Sequence, residues 1–141
     1  MILLKAHLLV EEELQAFIDR SVRDASLLKK ARFTFAQRLI LAEALHPKPN
    51  CFGYGWAWEA AGELNAIRNQ MAHNLEPKDF ATRITGLVEH VHVNILLQGN
   101  LMLIKPGEGP EYEMATFGFM VSLLNVCLAR LLHFEAFRAD G

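Results

Sequence analysis

The residues best placed to do chemistry are Arg68, Asn69 and His73, which bring a permanent cation, an amide and a titratable imidazole to one short stretch of chain. They are the parts of a phosphodiesterase site that needs no metal. A neutral imidazole can take the proton from a ribose 2′-hydroxyl, and a guanidinium can stabilise the negative charge that builds on phosphorus during transesterification. Helix geometry constrains the idea. Five positions along a helix turn by about 140° and rise by about 7.5 Å, so Arg68 and His73 do not share a face, whereas Asn69 and His73 do. The site therefore requires that the helix end or bend near His73, or that a second copy of the chain present its own motif opposite the first. A symmetric dimer also supplies two histidines, one as base and one as acid, roles that a single imidazole cannot fill in the same step.

Other residues of chemical interest fit less well. Arg83 and His90 repeat the arginine-to-histidine pattern with six residues between them, but Ile84, Thr85 and Gly86 follow this arginine and both residues fall inside a predicted helix. His90 and His92 diverge on a helix and have no Cys, Asp or Glu cluster beside them, so no metal site is read and no cofactor is expected. His7, His46 and His133 stand alone and read as packing or surface histidines. Phe52, Tyr54, Trp56 and Trp58, interleaved with Gly53 and Gly55, either present rings to RNA bases or anchor the core, the commoner role for such rings. The basic residues Arg23, Lys29, Lys30, Arg32 and Arg38, diluted only by Asp19 and Asp24, form the best phosphate-contacting patch. An ordinary solvated helix junction accounts for the same charges.

The elements that must position these residues are helices. Residues 3–23 carry Leu4, Leu8, Leu14, Phe17 and Ile18 at helical spacing. Residues 33–45 repeat the pattern, with Thr34 able to cap and His46-Pro47 ending the helix. Two prolines, Asn50 and two glycines make residues 47–55 a loop. A third helix runs from Trp56 to about His73, with Ala57, Ala60, Ala61, Leu64, Ile67 and Met71 on its apolar side and the motif at its exit. Pro77 opens a fourth through Phe80, Ile84, Leu87 and Val91. Residues 92–105 either extend that helix before a loop, the reading adopted here, or fold as a hairpin around Gln98-Gly99-Asn100. After the break at residues 106–110, residues 111–137 form a long apolar helix expected to be the spine of the core. Met114, Met120, Leu123, Leu124 and Leu128 form its core stripe.

The motif and its surroundings resemble the HEPN superfamily, whose ribonuclease members carry Arg, four to six residues and then His, usually with Asn, Asp or His directly after the Arg. Arg68-Asn69 and His73 fit that pattern. Residues 33–45, Glu63-Leu64-Asn65 and Ala72-His73 are similar to the mannitol operon repressor branch and related plasmid proteins, over roughly the central third of the chain. The resemblance implies a dimerising helical bundle whose motif faces a cleft between protomers, with Arg68 and His73 as cleavage residues in active members. It equally covers members that act by contacting protein or nucleic acid.

With 141 residues, the chain suits one domain, residues 1–141, built as an all-α bundle of about five helices. A composition 52% hydrophobic and 21% charged exceeds what a small core needs and suggests an oligomer, which the resemblance makes a homodimer. The net charge of -2 gives no general attraction to nucleic acid, so any RNA contact must use a local patch. Cys51 and Cys127 lack metal spacing and disulfide density and fit reduced thiols of a cytoplasmic protein. Lys5, His7 and Glu11 to Glu13 interrupt the apolar start, so no export signal is read. The uncharged run at 114–129 is too short to span a membrane. The expected function is a metal-independent endoribonuclease of toxin or defence type, with RNA and a cognate antitoxin protein as partners. The alternative is a regulatory or binding module without catalysis.

Overall fold

The computed structural model describes residues 2–73, 77–97 and 110–133, and all of their regular structure is helical. Five α-helices follow one another: α1 (Ile2–Ser21), α2 (Phe35–Leu45), α3 (Trp56–Ala72), α4 (Pro77–Leu97) and α5 (Pro110–Leu132). Short 3-10 turns at Ala25–Lys30 and Cys51–Gly53 sit in the first two connections.

The boundaries follow from local chemistry. Thr34 accepts from the Gln37 backbone N–H while the Gln37 side chain accepts from the Thr34 N–H, a reciprocal capping box that starts α2 at Phe35 rather than Phe33. The helix stops at His46, before Pro47. Asp24 caps the first 3-10 turn by accepting from the Ser26 N–H, which ends α1 at Ser21, two residues before the expected Arg23. Pro77 occupies the first position of α4, where a missing N–H costs nothing. The same helix continues to Leu97, through the part of residues 92–105 that the structure describes. The hairpin alternative around Gln98-Gly99-Asn100, and the expected continuation of α5 to Phe137, lie outside the described residues.

Long-range contacts fix the helix directions. His7 stacks on Phe35 at 4.3 Å, Arg38 meets Glu11 at 3.6 Å, and Phe17 stacks on His46 at 5.4 Å. The residue numbers rise together, so α1 and α2 run parallel, and residues 22–34 must carry the chain back along the bundle. His7 also bonds Asn65 while His46 meets Trp58, so α3 runs antiparallel to both. The motif end of α3 therefore lies beside the starts of α1 and α2. The C-terminus of α5 lies at the other end, where His46 Nε2 donates to the Leu131 carbonyl and Arg20 donates to that of Leu132. These side chains satisfy helix-terminal carbonyls that have no partner within α5.

The core is continuous. Val10, Leu14, Phe17 and Ile18 of α1 join Leu64 and Ile67 of α3, Leu87 and Val91 of α4, and Phe117, Leu124, Leu128, Leu131 and Leu132 of α5. Among the described residues α5, the expected spine, packs against α1, α3 and α4, and α3 packs against all four other helices. Its buried Ala57, Ala60 and Ala61 explain why, since small side chains let neighbouring helices approach on several sides. No helix among the described residues is long and apolar enough to cross a membrane.

Candidate functional site

The motif occupies the last turn of α3 and its cap. His73 is the C-cap, with φ -100° and ψ 10°, and its backbone N–H is shared between the Asn69 and Gln70 carbonyls at 3.1 and 3.2 Å. Its side chain is exposed, as is that of Asn69, while Arg68 is half-buried. Arg68 Nη1 donates to Asn69 Oδ1 at 3.3 Å. That contact bears on the spacing problem. Asn69 lies about 100° round the helix from Arg68 and His73 about 40° further, so Asn69 stands between the two in rotation. By engaging the amide, the guanidinium leans from its own face towards that of His73. The backbone leaves the helix at His73, one of the two arrangements under which the spacing works best.

The helix carrying the motif is held from outside. Asn65, one turn before Asn69 and on the same face, has its Oδ1 2.9 Å from His7 Nε2. An amide oxygen can only accept, so His7 donates. The His7 ring is buried and stacks on Phe35, so α1 and α2 together clamp α3 two turns below His73. The Gln70 Oε1 within the motif is buried and has no hydrogen-bond partner among the described residues.

The second arginine-histidine match has a different fate. His90 Nδ1 lies 2.8 Å from Glu63 Oε1 and its ring is 6.3 Å from that of Trp56, so His90 ties α4 to α3. Arg83 is exposed two turns earlier on α4. His92 does not join His90: among the described residues its buried Nε2 has no partner and no three metal-ligating side chains converge.

The basic residues divide. Arg23, Lys29, Lys30 and Arg32 are exposed on the return connection and make no ion pair among the described residues. Arg38 is partly buried, paired with Glu11 and donating from Nε to Gln15 Oε1 at 2.7 Å, so it fastens α2 to α1. Arg32 leads directly into α2, whose first residue sits on His7, which places it at the motif end of the bundle. Arg23 follows α1 at the opposite end.

The aromatic loop also divides. Trp58 and Tyr54 are buried, and the Trp58 indole N–H donates to the Pro49 carbonyl at 2.8 Å. Trp56 is half-buried. Phe52 is 52% exposed and has φ 59°, a left-handed backbone that a bulky residue rarely adopts. Sequence reasoning read His7 and His46 only as packing or surface histidines and did not single out Glu63. Their partners lie 58, 85 and 27 residues away, and no local pattern announces such contacts.

The two thiols stay apart from this chemistry. Burial raises the Cys51 thiol above its ordinary range and pushes that of Cys127 up to about 11. Neither is poised as a nucleophile. Comparison of the chain with protein-family models, with curated proteins and with solved structures finds no match.

Proposed function

We propose that this chain is a metal-independent endoribonuclease of toxin or defence type that works as a homodimer through Arg68, Asn69 and His73. The observation that carries the reading is the Arg68–Asn69 hydrogen bond, which inclines the cation towards the helix face of an exposed His73 at the helix exit. The resemblance of the motif to the HEPN superfamily supports the same assignment.

In the proposed reaction the neutral His73 imidazole takes the proton of a ribose 2′-hydroxyl. The 2′-oxygen attacks phosphorus, Arg68 balances the added charge, and the 5′-oxygen departs with a proton from the imidazolium of a second copy. The products are a 2′,3′-cyclic phosphate and a 5′-hydroxyl. Asn69 holds the guanidinium in place. Exposed Leu4, Leu8 and Leu9, at the start of α1 and so at the motif end, support a second copy packing there. Arg32 at the same end, with Lys29 and Lys30 behind it, supplies phosphate contacts that a net-negative protein needs locally.

The test is incubation of wild type and His73→Ala with tRNA and mRNA in excess EDTA, with end-group analysis and circular dichroism. Cleavage by wild type alone, leaving cyclic phosphate ends and falling by about 10²-fold or more in the variant, is the expected result. If neither protein cuts, or both cut equally, the ribonuclease reading fails. The exposed Arg23, Lys29, Lys30 and Arg32, which make no ion pair among the described residues, then favour the second reading, a regulatory module that contacts nucleic acid or a partner protein such as an antitoxin without cleavage.

A further inference from the structure

The bundle end opposite His73 carries a cation mounted on an aromatic ring. The Arg130 guanidinium, in the last turn of α5, lies 5.5 Å from the centroid of the Phe52 ring, and its Nη1 rests 3.5 Å from the Tyr54 hydroxyl. Tyr54 is buried and Trp58 is anchored to Pro49, so the loop is pinned on its far side. The left-handed conformations of Phe52 and Gly53 then turn the Phe52 ring outward to meet Arg130 instead of inward to the core. An apolar ring kept half-exposed by an unfavourable backbone is an arrangement that packing alone does not call for.

Lys48 is exposed on the same loop, and the carboxylates nearest in sequence, Glu43 in the last turn of α2 and Glu59 in the first turn of α3, are exposed and pair with neither cation among the described residues. Glu13 of α1, which reaches the end of α5, is held by His133 at 3.3 Å. Arg130 makes no ion pair among the described residues. Among the described residues its Nη2 and Nε make no hydrogen bond.

We propose that Arg130, backed by Phe52 and assisted by Lys48, is a docking site for one unpaired nucleotide of single-stranded RNA, the base stacking on the guanidinium plane and the phosphate meeting its edge. A planar cation carried on an aromatic ring binds both parts of a nucleotide at once, without reading its sequence. The assignment rests on the RNA substrate proposed above. It adds a contact about 25 Å from His73, the length of α3. At roughly 3.4 Å per stacked nucleotide, about seven nucleotides separate the docked base from the cleavage position on one protomer.

The experiment measures binding apart from cleavage. Fluorescence anisotropy of a labelled uridine decamer is followed with the full chain carrying His73→Ala, in EDTA. The expected result is that Arg130→Ala weakens binding by about 5- to 150-fold, the range for loss of one stacked base. Arg130→Lys, which keeps the charge but not the plane, falls in between, and Phe52→Ala follows Arg130→Ala while Phe52→Trp retains binding. Unchanged melting temperatures show that the variants are folded. Decamer binding within twofold of the parent for both Arg130→Ala and Phe52→Ala overturns the proposal, as does absence of any binding by the parent. The outcome is separable from the ribonuclease reading: an active His73 with an indifferent Arg130 removes only this site, and Arg130-dependent binding without cleavage removes only the catalysis.

Discussion

Replacing His46 tests whether a buried imidazole can be assigned its work from its two nitrogens. The Lys48 backbone N–H lies 3.0 Å from Nδ1, and a donor there requires Nδ1 to accept. The proton then sits on Nε2, which donates to the Leu131 carbonyl at 2.6 Å, while the ring packs between Phe17 and Trp58. His46→Ala strands the Leu131 carbonyl in the core at about 2 kcal/mol, frees the Lys48 N–H, which water can reach, at under about 1 kcal/mol, and removes ring packing worth about 1–2 kcal/mol. The expected loss is about 4 kcal/mol, a large share of the roughly 5–15 kcal/mol that holds such a domain folded, and about 15 °C in melting temperature. Urea unfolding measures it, with two controls. His46→Phe keeps a ring but no hydrogen bonds and should lose about 2–3 kcal/mol. His133→Ala removes only a largely exposed pair with Glu13 and should change stability by under about 0.5 kcal/mol. If His46→Ala lies within about 1 kcal/mol of wild type, the clamp reasoning is wrong. If His46→Phe is as stable as wild type, the hydrogen bonds contribute nothing.

Three further outcomes are expected. Asn69→Ala should lower RNA cleavage by about 10-fold with the fold intact, since Arg68 loses its only described tether, and equal single-turnover rates would show that the tether is irrelevant to the reaction. Gly86→Ala should stabilise by roughly 0.5–1 kcal/mol in thermal unfolding, because the added methyl meets nothing within 4 Å and the α4 interior gains helix propensity. Burial pushes the Cys127 thiol from 9.0 to about 11, so the unfolded chain ionises first as pH rises. Its contribution is intact below pH 9 and is lost between about 9 and 11, by roughly 2–3 kcal/mol at most. Stability measured against pH should therefore fall more steeply for wild type than for Cys127→Ala over that window, and parallel curves would refute it.

Local signals in the sequence translated well. Thr34 caps, Pro77 opens a helix, and the apolar spacing of residues 56–72 marks the helix that ends at the motif, because each depends on neighbours within a turn or two. The parallel run of α1 and α2 was not legible, since it is decided by Phe35 on His7 and Arg38 on Glu11 across a 3-10 turn that no apolar period reveals. The same limit applied at the site. The types of Arg68, Asn69 and His73 pointed to phosphodiester chemistry, but their helical spacing argued against convergence. Helix geometry already sets Asn69 between the other two in rotation, and the structure adds the hydrogen bond by which Arg68 engages it. Arg38 looked like a phosphate contact because its pairing with Glu11 and Gln15 is tertiary. Phe52 and Trp58 looked alike, although one is half-exposed on a left-handed turn and the other is buried.

The contact between α1 and α5 also sets an order of events on the ribosome. Arg20 reaches the Leu132 carbonyl across 112 residues, and Val10, Leu14, Phe17 and Ile18 are buried in a core completed by Phe117, Leu124 and Leu128. Until α5 emerges, those side chains have only part of their cover. At about 5–20 residues per second the wait lasts several seconds, a window in which the nascent chain is open to chaperones and to premature association. Non-local closure of this kind slows folding compared with a bundle of sequential hairpins.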